Sequence, residues 1–223
     1  MRWTLLDGSP RGRRSNTGIL LARLARGLEA AGHTTELLVL AHPRDAAAAP
    51  ARFAAAERVV LGFPLYTDAM PGQVMAFIER LAPYAGRPGN PPIAFLVQSG
   101  FPEPGQSRAV ERYLELLARR LGAPCLGTIV KGGVEGLQAM PRWMTRGLLT
   151  RVEALGRDLG RRGQLDPAAL RALAGPDWLT GWRRLVLRVA LALVSARYWD
   201  GMLRANGAWE RRLERPHAES GAA

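Results

Sequence analysis

Cysteine is nearly absent from this chain: Cys125 is the only one in 223 residues, so no internal disulfide can form and no cysteine set exists for structural zinc or an iron–sulfur cluster. Any redox chemistry needs another carrier. Histidine is almost as scarce. His33 follows a helix-ending glycine, His42 precedes Pro43 in a loop and His217 lies near the end of the sequence, so no two have ligand spacing. Lysine is rarer still, Lys131 being the only one among 31 basic residues. A formal charge of +12 suggests phosphate or nucleic acid as a partner. A basic content supplied almost wholly by arginine, in a chain rich in alanine and glycine, instead indicates codon bias, and no specific nucleic-acid partner is expected. No long hydrophobic run opens the chain, since residues 1–6 reach Asp7 and Gly8 at once, and the expected location is the cytoplasm.

What the chain does have is an apolar fraction of 48%, enough for a substantial core, arranged in short alternating blocks. Residues 3–6 form an apolar run that ends in Asp7-Gly8-Ser9-Pro10. A helical pattern follows over 16–31, with Leu20, Leu21, Leu24 and Leu28 on one face, and Gly32 stops it. Residues 35–40 read as a second strand, 46–56 as a short helix, 58–62 as a third strand ending at Phe63-Pro64, and 72–81 as a helix. Residues 93–98 are almost wholly apolar, as a parallel strand covered on both faces should be. A helix over 108–121 and a fifth strand over 125–130 complete the series. The alternation predicts an open, doubly wound α/β sheet of five parallel strands, for which the order 2-1-3-4-5 is allowed, with ligands beyond the carboxyl ends at the switch between strands one and three.

After about residue 140 helical segments predominate, near 145–162, 167–174 and 182–199. The expected division is therefore 1–140 as the α/β domain and 141–223 as a helical extension packed on that domain or on a dimer partner. Arginine breaks the apolar stretch 185–198 too often for a bilayer span. Docking in a homodimer is the expectation for residues 182–199, with weak membrane-surface contact as the alternative.

The loop Gly8-Ser9-Pro10-Arg11-Gly12-Arg13-Arg14-Ser15-Asn16-Thr17 joins the first strand to the first helix. Unpaired N–H groups and the positive end of a helix dipole meet there with the hydroxyls of Ser9, Ser15 and Thr17, the Asn16 amide and Arg11, a set that suits a terminal phosphate. The same polar residues could instead cap the helix. The loop lacks both the Walker A ending and the GxGxxG spacing.

GSPR followed by SNT resembles the phosphate loop of NAD(P)H-dependent FMN reductases and related flavodoxin-like oxidoreductases. Residues 63–72, with Pro64, Leu65, Tyr66, Asp68 and a Met-Pro pair, resemble that family's second flavin loop, and Ser99-Gly100-Phe101-Pro102-Glu103 its third. The resemblance implies a flavodoxin-like fold, bound FMN with NAD(P)H as electron donor, and a small-molecule electron acceptor such as a quinone or a free flavin. It makes Tyr66 and Phe101 ring contacts and sets Ser99 and Gly100 near the pyrimidine edge. Asp7 stands where many relatives have Asn, and Arg13 with Arg14 makes the loop basic enough to leave FAD open. An electron-transfer flavoprotein that does not use NAD(P)H, and a vacant partner-binding module, are the remaining alternatives.

Overall fold

The computed structural model describes residues 1–214, with the side chains of Arg183 and of residues 190–197 outside that description. His217 likewise lies outside the described residues. Five strands, β1 (Arg2–Asp7), β2 (Thr34–Val39), β3 (Arg58–Pro64), β4 (Ile93–Gln98) and β5 (Cys125–Lys131), pair in parallel in the order β2-β1-β3-β4-β5. Among the described residues seven α-helices accompany them: α1 (Asn16–Ala30), α2 (Pro43–Ala54), α3 (Gly72–Glu79), α4 (Arg108–Leu121), α5 (Arg142–Arg162), α6 (Pro167–Ala174) and α7 (Gly181–Ala205). Helix α2 starts earlier than expected because Pro43 suits a first helical turn, where its missing N–H is no loss.

The strand period of two divides the core into two layers. On β4, Ile93, Phe95 and Val97 join one cluster with Phe53 of α2, Val74 and Phe77 of α3, and Leu114 of α4. Ala94 and Leu96, on the alternate face, join Trp3 of β1 with Leu20, Leu21, Leu24 and Leu28 of α1. All of β4 is buried, as expected of a strand covered on both sides. Each fully buried Leu or Phe contributes about 1.5–3 kcal/mol relative to exposure.

The second layer also contains Val152, Leu155 and Leu159 of α5, which packs along α1. Glycine permits this close approach. A Cβ on Gly27 would stand 2.0 Å from the Glu153 carbonyl oxygen, and one on Gly156 would stand 2.2 Å from that of Leu24. One turn on, His33 hydrogen-bonds the Gly160 carbonyl oxygen at 3.0 Å and meets the Trp3 ring edge-on, so its role is structural. The compact unit consequently runs from Met1 to Trp178, and a second begins at Leu179. Helix α5, the first part of the extension expected from residue 141, packs on the α/β domain over α1.

Candidate ligand cleft at the carboxyl ends of the strands

Past their ends the strands remain tied by backbone hydrogen bonds. The Gly8 N–H donates to the Gly62 carbonyl at 2.7 Å, Leu40 to Asp7 at 2.9 Å, Leu65 to Gln98 at 2.8 Å and Ser99 to Lys131 at 3.1 Å. Each loop therefore starts from a fixed position relative to its neighbour.

In the first loop the Ser9 N–H donates to Asp7 Oδ1 at 2.9 Å and the Arg11 N–H to Ser9 Oγ at 3.3 Å. Gly12, at φ +63°, turns the chain into a short 3-10 segment. Ser15 then caps α1, its Oγ accepting from the Gly18 N–H at 2.9 Å. The N–H groups of Asn16 and Thr17 lie in the first helical turn, which has no intrahelical acceptors for them. The Asn16 side chain reaches across the cleft instead: Nδ2 donates to the Val134 carbonyl at 2.7 Å, and Oδ1 accepts from Gln138 Nε2 at 3.1 Å. Thr17 is fully buried, and its Oγ1 accepts from Gln98 Nε2 at 3.2 Å.

In the second loop, Tyr66 and Ala69 exchange backbone hydrogen bonds of 2.9 and 3.0 Å around Thr67 and Asp68. Both central residues are left-handed, at φ 49° and 59°. This is the geometry of a two-residue turn that usually takes Asn-Gly, and the β-branched Thr67 is strained in it. In the third loop the Phe101 carbonyl accepts from Ser99 Oγ at 3.1 Å and from the Gly133 N–H at 2.7 Å, which joins it to the segment after β5.

These loops enclose one cleft. Ser9, Arg11, Ser15 and Asn16 line it from the first, Pro64, Leu65 and Tyr66 from the second, and Ser99 and Gly100 from the third. Its enclosed part is about 20 Å³, room for roughly one water-sized group. Three expected residues stand elsewhere. Thr17 lies behind the wall, bonded to Gln98; Asp68 points into the groove between α3 and α4; and Phe101 is half exposed outside the lining. Two lining residues were not expected, Gln98 at the end of β4 and Glu135 beyond β5. Glu135 Oε1 is 4.0 Å from Arg11 Nη1 across the opening, between two exposed side chains that contribute little to stability.

A family model described as a flavodoxin-like fold matches residues 1–142. The chain belongs to this flavodoxin-like family. No curated protein matches it in sequence. Among solved structures, the NAD(P)H:quinone oxidoreductase from Methanothermobacter marburgensis aligns with a TM-score of 0.58 at 20% identity, covering 71% of this chain and 96% of its own. An FMN-dependent NADH-azoreductase from Bacillus anthracis, solved in complex with FMN, aligns with a TM-score of 0.54 at 11% identity, covering 72% and 100%. A structure titled as a quinone reductase from Klebsiella pneumoniae gives 0.54 at 17%, covering 75% and 86%. At such identities the likeness is one of fold.

Beneath the cleft of this flavodoxin-like domain lies Asp7, which is fully buried. Its Oδ1 accepts from Ser9, while Oδ2 has no hydrogen-bond partner. Burial raises its pKa from 3.8 to about 6, the Ser9 hydrogen bond pulling the other way. Cys125 is half-buried in β5, and burial pushes its thiol up as well, away from reactivity. Among the described residues no group of three or more His, Cys, Asp or Glu side chains is placed to hold a metal ion.

Proposed function

We propose that the cleft holds FMN by its terminal phosphate and that the protein is an NAD(P)H-dependent oxidoreductase acting on a small acceptor such as a quinone or a free flavin. The observation that carries this reading is the convergence of three separate loops on one polar pocket at the switch between β1 and β3. The donor set suits a phosphate: the first turn of α1 and the Ser9 and Ser15 hydroxyls line the pocket, with Arg11 beside them. The open side fits a flat, partly apolar ring, because Tyr66 lines the cleft while remaining 46% exposed. The names of the fold neighbours, which include an FMN-dependent azoreductase and quinone reductases, support the same reading.

FMN, when bound, would supply two-electron transfer between a nicotinamide donor and the acceptor. The chain's own residues would bind and orient. Ser9, Ser15 and the α1 terminus would anchor the phosphate, and Pro64, Leu65 and Tyr66 would form one wall of the ring slot. Ser99 and Gly100 would offer polar atoms to its pyrimidine edge, and no side-chain acid or base is assigned.

Titration of apoprotein with FMN, followed by quenching of flavin fluorescence, tests the anchor. Ser9→Ala combined with Arg11→Ala removes one donor and one charge from the lining. Each charge-assisted hydrogen bond is worth about 1.5–3 kcal/mol, so affinity should fall at least about tenfold. Unchanged affinity in the folded variant would place the phosphate elsewhere. A flavin that NADH and NADPH both fail to bleach anaerobically would remove the oxidoreductase reading while leaving FMN binding intact.

A further inference from the structure

Asp7 ends β1 where the first loop begins. Trp3 and Leu5, two and four residues back on the same face of the strand, pack in the layer that contains α1, and Asp7 is fully buried beside them. Its Oδ1 is held by the N–H of Ser9, whose side of the loop lines the cleft. Its Oδ2 lies against the first turn of α1, 3.0 Å from where a Cβ on Gly18 would stand. No donor reaches this second oxygen, although Gly18 is within one helical pitch, about 5.4 Å, of Ser15 and Asn16, which line the cleft. Nor do the neighbouring elements bring a cation to it. Arg11, Arg13 and Arg14 of the first loop are exposed, and Arg11 lies 4.0 Å from Glu135 of the segment after β5. The first turn of α1 is uncharged, as are Gln73 of α3, which donates to the Gly8 carbonyl, and Gln98 of β4. From β2 and α2 come Glu36, which accepts from Thr4 and pairs with Arg52, Asp45, which accepts from the Val39 N–H, and the exposed His42 and Arg44. The arginine of β3, Arg58, is at the opposite end of the sheet over the Trp3 ring.

The positive end of the α1 dipole favours a single anion. A phosphate in the cleft would approach it from outside, as the Asp7 carboxylate does from beneath. Two anions about a helical turn apart repel strongly where water is excluded. A proton on Asp7 removes that conflict without moving a side chain, and burial already raises the pKa of this carboxyl from 3.8 to about 6. On the FMN reading proposed above, on which this rests, we infer that Asp7 and the flavin phosphate exclude each other as anions, so that the cleft takes FMN together with a proton on Asp7. Retention of the cofactor is then coupled to pH by a residue that does not line the cleft.

Apoprotein of the parent and of Asp7→Asn, titrated with FMN and in parallel with riboflavin between about pH 5 and pH 8, tests this. The second ionisation of the phosphate, near pH 6, is common to both proteins and cancels in the ratio of their affinities. A ligand that needs the protonated form has its affinity reduced by the fraction protonated, about 1% two pH units above a pKa of about 6. FMN should therefore bind the variant about a hundredfold more tightly than the parent at pH 8 and about equally at pH 5. Riboflavin, which carries no phosphate, should not distinguish the two proteins at any pH. Calorimetry near pH 7.5 in two buffers of unlike ionisation heat should count about one proton taken up per FMN by the parent and close to none by the variant. Asp7→Ser, a second uncharged replacement, should reproduce the ratio. Equal FMN affinities at pH 8, or a parent that binds more tightly there, would overturn the inference and leave the FMN reading standing. A difference that riboflavin shows as well would trace the effect to the ring slot and overturn it too. FMN bound by none of the proteins at any pH would remove the FMN reading, and the inference with it.

Discussion

Replacing Asp7 with Asn should stabilise the protein, and by an amount that depends on pH. The carboxyl group is fully buried, and its pKa rises from 3.8 to about 6. A group whose folded-state pKa is raised favours folding fully below its unfolded value, and that contribution is lost as pH rises through the folded value. The parent therefore loses stability between about pH 4 and pH 7, as an unpaired charge develops at Oδ2. A shift of about two units at 1.36 kcal/mol each amounts to about 3 kcal/mol. Asn keeps the Oδ1 acceptor for the Ser9 N–H and never ionises. At about 2–4 °C per kcal/mol for a unit of this size, the variant should melt about 6–12 °C above the parent at pH 8. Near pH 4 the gap should close. Scanning fluorimetry of both proteins across pH, at constant ionic strength and without added flavin, measures it. A constant gap across the range, or a parent that gains stability between pH 4 and pH 7 relative to the variant, would refute the reasoning.

Helix α5 offers a paired test: Gly156→Ala forces a Cβ against the Leu24 carbonyl and should cost about 2–3 kcal/mol in urea unfolding, whereas Gly147→Ala, with open space around it, should gain up to about 1 kcal/mol. Equal effects would mean that the crossing of α1 and α5 is looser than described. Thr67→Asn should raise stability by about 0.5–1 kcal/mol, since Asn tolerates the left-handed region that strains a β-branched residue. A loss of stability would show that the Thr67 side chain makes contacts worth more than the strain.

The sheet was legible because each strand ends in a turn signal and each helix carries its leucines on one face. Leu20, Leu21, Leu24 and Leu28 needed nothing beyond periodicity to be placed under the sheet. For helix α5 the sequence left packing on the domain and packing on a partner both open, since its contact with α1 depends on glycines, and a missing side chain has meaning only when the facing backbone is known. Gly156 and Gly160, four apart, were the available sign. At the cleft, the loops announced themselves by their Gly, Pro and Ser content, but position alone did not separate residues that face the ligand space from those behind it. Thr17 looks like a phosphate donor beside Ser15, yet its hydroxyl is taken by Gln98. Gln98 itself was readable as a lone polar side chain closing an apolar strand. Glu135 carried no local sign and joins the cleft only because the segment after β5 is bound to Asn16 and to the third loop.

The backbone bonds that run on past the strand ends have a bearing on how such a protein can be altered by recombination. Gly8 is held by Gly62, Leu65 by Gln98, and Ser99 by Lys131, so every loop takes its starting coordinates from the strand beside it. A loop transplanted alone from a relative would arrive without its neighbour's carbonyl in register, and the mismatch would pass along the row to the next. Exchanges that carry whole strand ends with their loops should keep the cleft intact. Chimaeras cut between β3 and β4 should lose it first, because that seam sets where Pro64, Leu65 and Tyr66 stand against Ser99.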